Sequence, residues 1–135
     1  MTVNGIYSHG EGNTVTVNGL FSHGEGFNVV VNSAGAHGEG VATIVSGAFQ
    51  HVQGVANVED VNSDYLHIVG NGELNEDATP KTPHNAHTID WFGNGWFCGD
   101  IKIGGDSYDD ENAKTLATQE FVTNYLDEIF LNGAW

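Results

Sequence analysis

Small β-branched residues alternate with polar ones through the first half of the chain, and the alternation restarts every 14 residues. Val3, Val17, Val31 and Val45 fall in one column, with Asn4, Asn18, Asn32 and Ser46 in the next and Gly5, Gly19, Ser33 and Gly47 after them. Tyr7, Phe21, Gly35 and Phe49 form a largely aromatic column. It is followed by Ser8-His9-Gly10-Glu11-Gly12 and its successors, Ser22 to Gly26 and Ala36 to Gly40, and by a worn fourth copy, Gln50-His51-Val52-Gln53-Gly54. The frame recurs once more, from Val61 to Gly70, after a two-residue insertion within Val55–Asp60, which places His67 in the histidine column. A strict short period of this kind is the signature of one structural unit stacked on itself.

Fourteen residues cannot hold a helical hairpin, but they hold two strands of four or five residues and two tight corners. The Asn-Gly and Asn-Ser pairs are expected at one corner, because Gly and Asn tolerate positive φ. Gly-x-Gly around the glutamate is expected at the other. The fold class that follows is mainly β: a short β-solenoid, or β-roll, of about five rungs, in which identical residues stack about 4.8 Å apart. Val3, Val17, Val31, Val45 and Val61 become an inner apolar ladder. His9, Glu11, His23, Glu25, His37, Glu39, His51, Gln53 and His67 become a polar one. So thin a coil buries little by itself and leaves open ends. A homotrimer, with each coil's apolar face turned to a shared axis, is the most economical remedy.

Beyond the repeat region, residues 1–72, the pattern changes. Residues 73–86 are acidic and carry both prolines, and Glu73–Pro83 reads as a loop. Residues 87–112 hold a predicted hairpin, with His87–Trp91 alternating, Gly93-Asn94-Gly95 turning and Trp96–Ile103 returning. Trp91 and Trp96 are expected to cover the open apolar end of the solenoid, with a sugar-stacking platform as the competing role. The acidic run at 104–112 does not follow the EF-hand spacing and reads as a solvated loop. In residues 113–135, Thr118 caps a predicted helix from about Gln119 to Phe130. Its stripe of Val122, Tyr125, Leu126, Ile129 and Phe130 must pack on the hairpin or on sister helices.

Charge narrows the partners. The chain of 135 residues has 18 acidic residues against three lysines and a net charge of −15, which disfavours nucleic acid and anionic membranes. Residues 1–58 contain only three acids, Glu11, Glu25 and Glu39, and no Lys or Arg. Cys98 is the single cysteine, so no intrachain disulfide forms and synthesis in a reducing compartment is expected. The opening Met-Thr-Val-Asn-Gly is unlike a secretory signal, and no segment is apolar enough to span a bilayer. The His-x-Glu ladder is expected to be structural, its imidazoles and carboxylates hydrogen-bonding to one another or to nearby backbone. A cation held on the axis between three chains is the alternative. A catalytic dyad fits poorly, because the pair is repeated and Gln53 replaces the glutamate in the fourth copy. No cofactor is implied, and no residue is assigned a catalytic or metal role.

Ser-His-Gly-Glu-Gly at this spacing resembles the Ser-His-Ala-Glu-Gly repeats of bacteriophage tail, appendage and fibre proteins, and more distantly the head repeats of trimeric autotransporter adhesins. His67 to Gly72, Asn85 to Trp91 and Gly93 to Asp100 resemble the segment that follows such repeats, and Lys114 to Val122 resembles a closing motif of phage fibres. The resemblance implies a left-handed β-roll in a trimer. It also implies a non-catalytic virion protein (fibre, spike or decoration) made in the bacterial cytoplasm, which contacts other virion proteins and a host-surface glycan or protein. Some such proteins carry a self-cleaving chaperone domain, and a fragment of a bacterial surface adhesin is a further alternative. Neither transfers to named residues here, since Ser63 and Asp64 are merely adjacent.

Overall fold

The computed structural model describes residues 1–99, 101–103 and 114–115 of the chain. Two compact units divide it, Met1–Cys98 and Gly99–Trp135. In the first, every complete rung carries one two-residue and one five-residue strand. The first rung is β1 (Thr2–Val3) and β2 (His9–Asn13), and the second is β3 (Thr16–Val17) and β4 (His23–Phe27). The third is β5 (Val30–Val31) and β6 (His37–Val41), and the fourth is β7 (Ile44–Val45) and β8 (His51–Val55). The fifth keeps only the long strand, β9 (Tyr65–Asn71). After it come β10 (Glu73–Leu74), β11 (Pro80–Thr82), β12 (Asn85–Asp90) and β13 (Gly95–Phe97). No helix occurs among the described residues.

The short strands form a four-stranded parallel sheet, and the long strands form a seven-stranded sheet with the order β13-β12-β9-β8-β6-β4-β2. Register follows the repeat: His9 pairs with His23, His23 with His37 and His37 with His51, each 14 residues on. His51 pairs with His67, so the two-residue insertion is absorbed before β9. The chain is therefore a β-solenoid of about five turns. In the second unit, β14 (Lys102–Ile103) pairs antiparallel with β15 (Lys114–Thr115). The helix expected over 119–130, with Val122, Tyr125, Leu126, Ile129 and Phe130, lies outside the described residues.

The core is a narrow file enclosed by one chain. Val17, Val31 and Val45 are fully buried, and so are Val15 and Val29, two residues before them, because alternate residues point to the same face. Gly10, Gly24 and Gly38 oppose them, and a Cβ at Gly24 would lie 3.0 Å from Val17 Cγ2 and 3.1 Å from Val31 Cγ2. In this column the fourth and fifth rungs carry Val52 and Ile68, both fully buried. The valines thus pack inside the chain; they do not line an axis shared with other copies. Val3 keeps its register with Val17 but is 41% exposed in the first rung. Val61 leaves the column altogether and is 70% exposed, because the insertion removes the short strand of the fifth rung.

Asn57 fills that missing place. Its side-chain amide donates to Ile44 O at 3.0 Å and accepts from Ile44 N at 2.8 Å, standing in for the backbone of a next strand. Gln50 donates to Asp60 Oδ2 at 2.8 Å and to Tyr65 O at 2.9 Å, and Asp60 also accepts from Tyr65 N. These buried polar groups finish an edge that would otherwise offer unpaired amides.

The corners differ from expectation. Positive φ falls on Tyr7, Phe21, Gly35, Phe49 and Ser63 at one corner and on Thr14, Asn28, Ala42 and Ala56 at the other. The Asn-Gly and Asn-Ser pairs do open the first corner, between the short and the long strand, but they do not take the positive φ; there Asn4 donates to Asn18 and Asn18 to Asn32 in an amide ladder. Gly-x-Gly lies within the long strand. Its second glycine is required there: Gly26 has φ 121°, and a Cβ on it would overlap the Gly40 carbonyl of the rung above. The segment expected as a loop after the last rung contains the β10–β11 hairpin, and its tip folds back so that Asn28 Nδ2 donates to Ala78 O at 3.0 Å.

Three substitutions probe this packing by chemical denaturation. Val31→Ala should lower the unfolding free energy by roughly 2 kcal/mol, and Val31→Asp should prevent folding by burying a charge. Asn57→Ala should cost about 1–3 kcal/mol by leaving Ile44 unpaired, and an unchanged midpoint would refute its capping role.

Candidate functional site

The long strands present one polar face. In His-Gly-Glu-Gly-x, the first, third and fifth residues point outward while the first glycine points to the core, so parallel register stacks like on like. Ring centroids of His9 and His23 are 5.0 Å apart, those of His23 and His37 are 4.8 Å apart, and those of His37 and His51 are 4.7 Å apart, all stacked. His67 follows at 5.2 Å, tilted by 47°.

The stack continues beyond the repeat. His87 on β12 meets His67 edge-on at 5.8 Å, and Phe97 on β13 stacks on His87 at 4.5 Å. Neither residue is in the repeat frame. Antiparallel pairing brings them into line, with His87 opposite Phe97, and their only sequence signal is an ordinary strand alternation.

Beside the imidazoles runs the second ladder. Glu11 pairs with Glu25 and Glu25 with Glu39, and Gln53 is level with Val69 of the fifth rung. Together with Gly12, Gly26 and Gly40 they line an open trough of about 690 Å³. Neighbouring carboxylates one rung apart repel by roughly 1 kcal/mol in water and by more where water is excluded. One imidazole approaches a carboxylate, with His51 Nε2 3.5 Å from Glu39 Oε1. The imidazoles do not form the expected hydrogen-bonded network. Nε2 of His23, His37 and His51 is shut off from solvent and has no hydrogen-bond partner among the described residues.

Within the ladder, two groups of ligand atoms converge. Nitrogen or oxygen atoms of His37, Glu39 and His51 lie within 4.8 Å of one another, and so do those of Glu11, His23 and Glu25. Burial, with repulsion from His51 and His87, pushes the His67 imidazole below its ordinary value of 6.5, against a weaker opposite pull from Glu39.

The tryptophans pack on the flank of the fifth rung; the apolar end is closed by the Asn57 and Gln50 networks and by Thr88, paired with Ile68. Trp91 Nε1 donates to Ser63 O at 2.8 Å, and Trp96 meets Tyr65 edge-on at 5.8 Å. Both stay about half exposed, at 45% and 50%, near Phe92 at 91%. The hairpin that carries them is held by Asp90, which accepts from the backbone of Phe92 and Asn94 and from the Asn94 side chain. The Asn94 bonds also hold its carboxyl below the usual range. Cys98 Sγ lies 3.1 Å from His84 Nε2, and the other nitrogen of His84 faces Asn71 Oδ1. That grouping is exposed, and nothing in the repeat pattern points to it.

No protein-family model, curated protein or solved structure matches this chain.

A histidine with a depressed folded pKa binds fewer protons when folded than when unfolded. Its stabilising contribution is complete above about pH 6.5 and is lost as pH falls from there through the folded value. The melting temperature should therefore drop on acidification below about pH 6.5, and His67→Asn should flatten that drop. Identical pH profiles for the two proteins would exclude His67 as a source.

Proposed function

We propose that the protein is a non-catalytic structural component of a bacteriophage virion. It acts as a short, rigid, left-handed β-roll in a homotrimeric fibre, spike or decoration, attached to other virion proteins and presenting a face to the host surface. The observation that carries this is the solenoid itself, built from rungs with the Ser-His-Gly-Glu-Gly frame in register. A stacked parallel coil with polar plugs at its end suits a spacer or platform, since each rung is braced by its neighbours. The strongly negative charge keeps such an assembly soluble and resists non-specific adhesion.

The surface supports association between copies. Tyr7, Phe21 and Phe49 are 80%, 61% and 69% exposed, and Tyr7 stacks on Phe21 at 5.3 Å. Each sits at positive φ, a conformation that costs a non-glycine residue about 1–2 kcal/mol. Gly35 and Ser63 occupy the same corner in other rungs, so the turn itself does not need a ring. Ile6 and Leu20 extend the ridge, which carries no charged residue. An uncharged apolar ridge on so acidic a chain is where copies meet without repulsion. The exposed Trp91, Phe92 and Trp96 supply a second aromatic surface, suited to a host glycan.

Light scattering should give a trimer of 14.4 kDa chains. The triple variant Tyr7→Gly, Phe21→Gly, Phe49→Gly should stay folded, because glycine prefers that φ, yet run as a monomer. A wild-type monomer in dilute buffer, or a variant that remains trimeric, would defeat the assignment of this ridge. Mass spectrometry of freshly expressed protein should show one intact species, whereas a cleaved product would favour self-processing.

A further inference from the structure

We infer that the histidine–glutamate face is a binding site for divalent transition-metal ions of the zinc type, with two ions per chain. One is held by Glu11, His23 and Glu25, the other by His37, Glu39 and His51. Two independent observations meet here. The donor atoms of each trio lie within 4.8 Å of one another. And Nε2 of His23, His37 and His51, the histidines of those same trios, is shut off from solvent without a hydrogen-bond partner among the described residues, in side chains that are otherwise part-exposed. A buried imidazole nitrogen left unpaired is unfavourable, and the repeat makes the same arrangement three times. A strand with only a structural role could have satisfied it, as Gln50 and Asn57 satisfy the polar groups at the coil's end.

The donor set selects the ion. Neutral imidazole with carboxylate suits zinc, nickel or copper, whereas magnesium and calcium prefer all-oxygen shells. Zinc holds nitrogen and oxygen ligands at about 2.0–2.2 Å, so two of them lie at most about 4.4 Å apart. In the tetrahedral shell that three protein ligands and a water make, ligand atoms lie about 3.4 Å apart, so the trios need to close by up to about 1.4 Å, which side-chain rotation of the glutamates supplies. Three protein ligands leave one position for water, and the adjoining trough is open to it. Each trio spans two rungs, so successive ions sit about 10 Å apart, twice the strand spacing. Gln53 ends the carboxylate column in the fourth rung, where His51 already serves the second ion.

This differs from an axial ion shared among three chains: every ligand comes from one chain, and the ions clip adjacent rungs together. Binding should therefore raise the melting temperature and be reversed by a chelator.

Calorimetric titration of the full chain with zinc tests it, in a Cys98→Ser background that removes the exposed thiol beside His84. The expected result is two ions per chain. Glu39→Gln should leave one, Glu11→Gln with Glu25→Gln should leave one, and the triple glutamine variant none, while magnesium gives no signal. Gln53 in the same column indicates that the fold accepts the amide, and a circular dichroism melt verifies it for each variant. One ion lost only in Glu39→Gln would sustain the second trio and eliminate the first, and the converse would do the opposite. No uptake at micromolar zinc, or uptake unchanged in the triple glutamine variant, would overturn the proposal.

Discussion

Self-stacking at the spacing of neighbouring strands governs this molecule. Once the chain coils with a 14-residue period, every side chain lies directly beneath its own equivalent, and a column persists only if its residue tolerates its own company. Valines do so by dispersion and exclusion of water, asparagines by passing an amide hydrogen bond up the ladder, and imidazoles by stacking. Glycine is needed where the next turn's carbonyl comes too close for any Cβ, as at Gly26 beneath Gly40. Glutamate is the poor stacker, since like charges gain nothing from proximity. Its column, persisting over three rungs beside imidazoles, is the one that stacking by itself does not explain.

The same constraint explains how the repeat stops. A coil that kept its period would leave an open apolar end and a row of unpaired amides. Departures from the consensus do the closing: Gln50 in place of serine or alanine, Asn57 in place of valine or threonine, and the insertion that brings Asp60 under Tyr65 N. The antiparallel β12 and β13 then cover β9, so that the long sheet ends on a hairpin edge. The end of the solenoid after the fifth rung is polar and tied down, and exposed apolar surface lies on the aromatic ridge, near Trp91 and Trp96, and at Val3 of the first rung.

Much of this was legible in the residues, because a period is a statement about three dimensions. Strand number per rung, the register of His9, His23, His37, His51 and His67, and the burial of Val17, Val31 and Val45 all follow from aligning the repeat on itself. The second buried column, Val15 and Val29, was there to be seen two residues upstream, as strand alternation requires. Other features were not legible. Which residues turn the corner depends on backbone angles that an Asn-Gly pair only makes available; here the aromatics took the left-handed φ. Val61 fits the frame in sequence, yet the insertion ahead of it dissolves the strand that would have turned it inward.

The sequence by itself determined the period, and with it which residues must lie above one another, because parallel strands in register admit no other arrangement. Only the tertiary structure decided what those columns face. It enclosed the valines within one chain, left Tyr7, Phe21 and Phe49 outside, carried His87 and Phe97 onto the histidine stack, and shut Nε2 of His23, His37 and His51 away from water. A repeat specifies neighbours along the stack. Orientation across it is set by how wide a core the opposing strand can fill and by how the chain closes its ends.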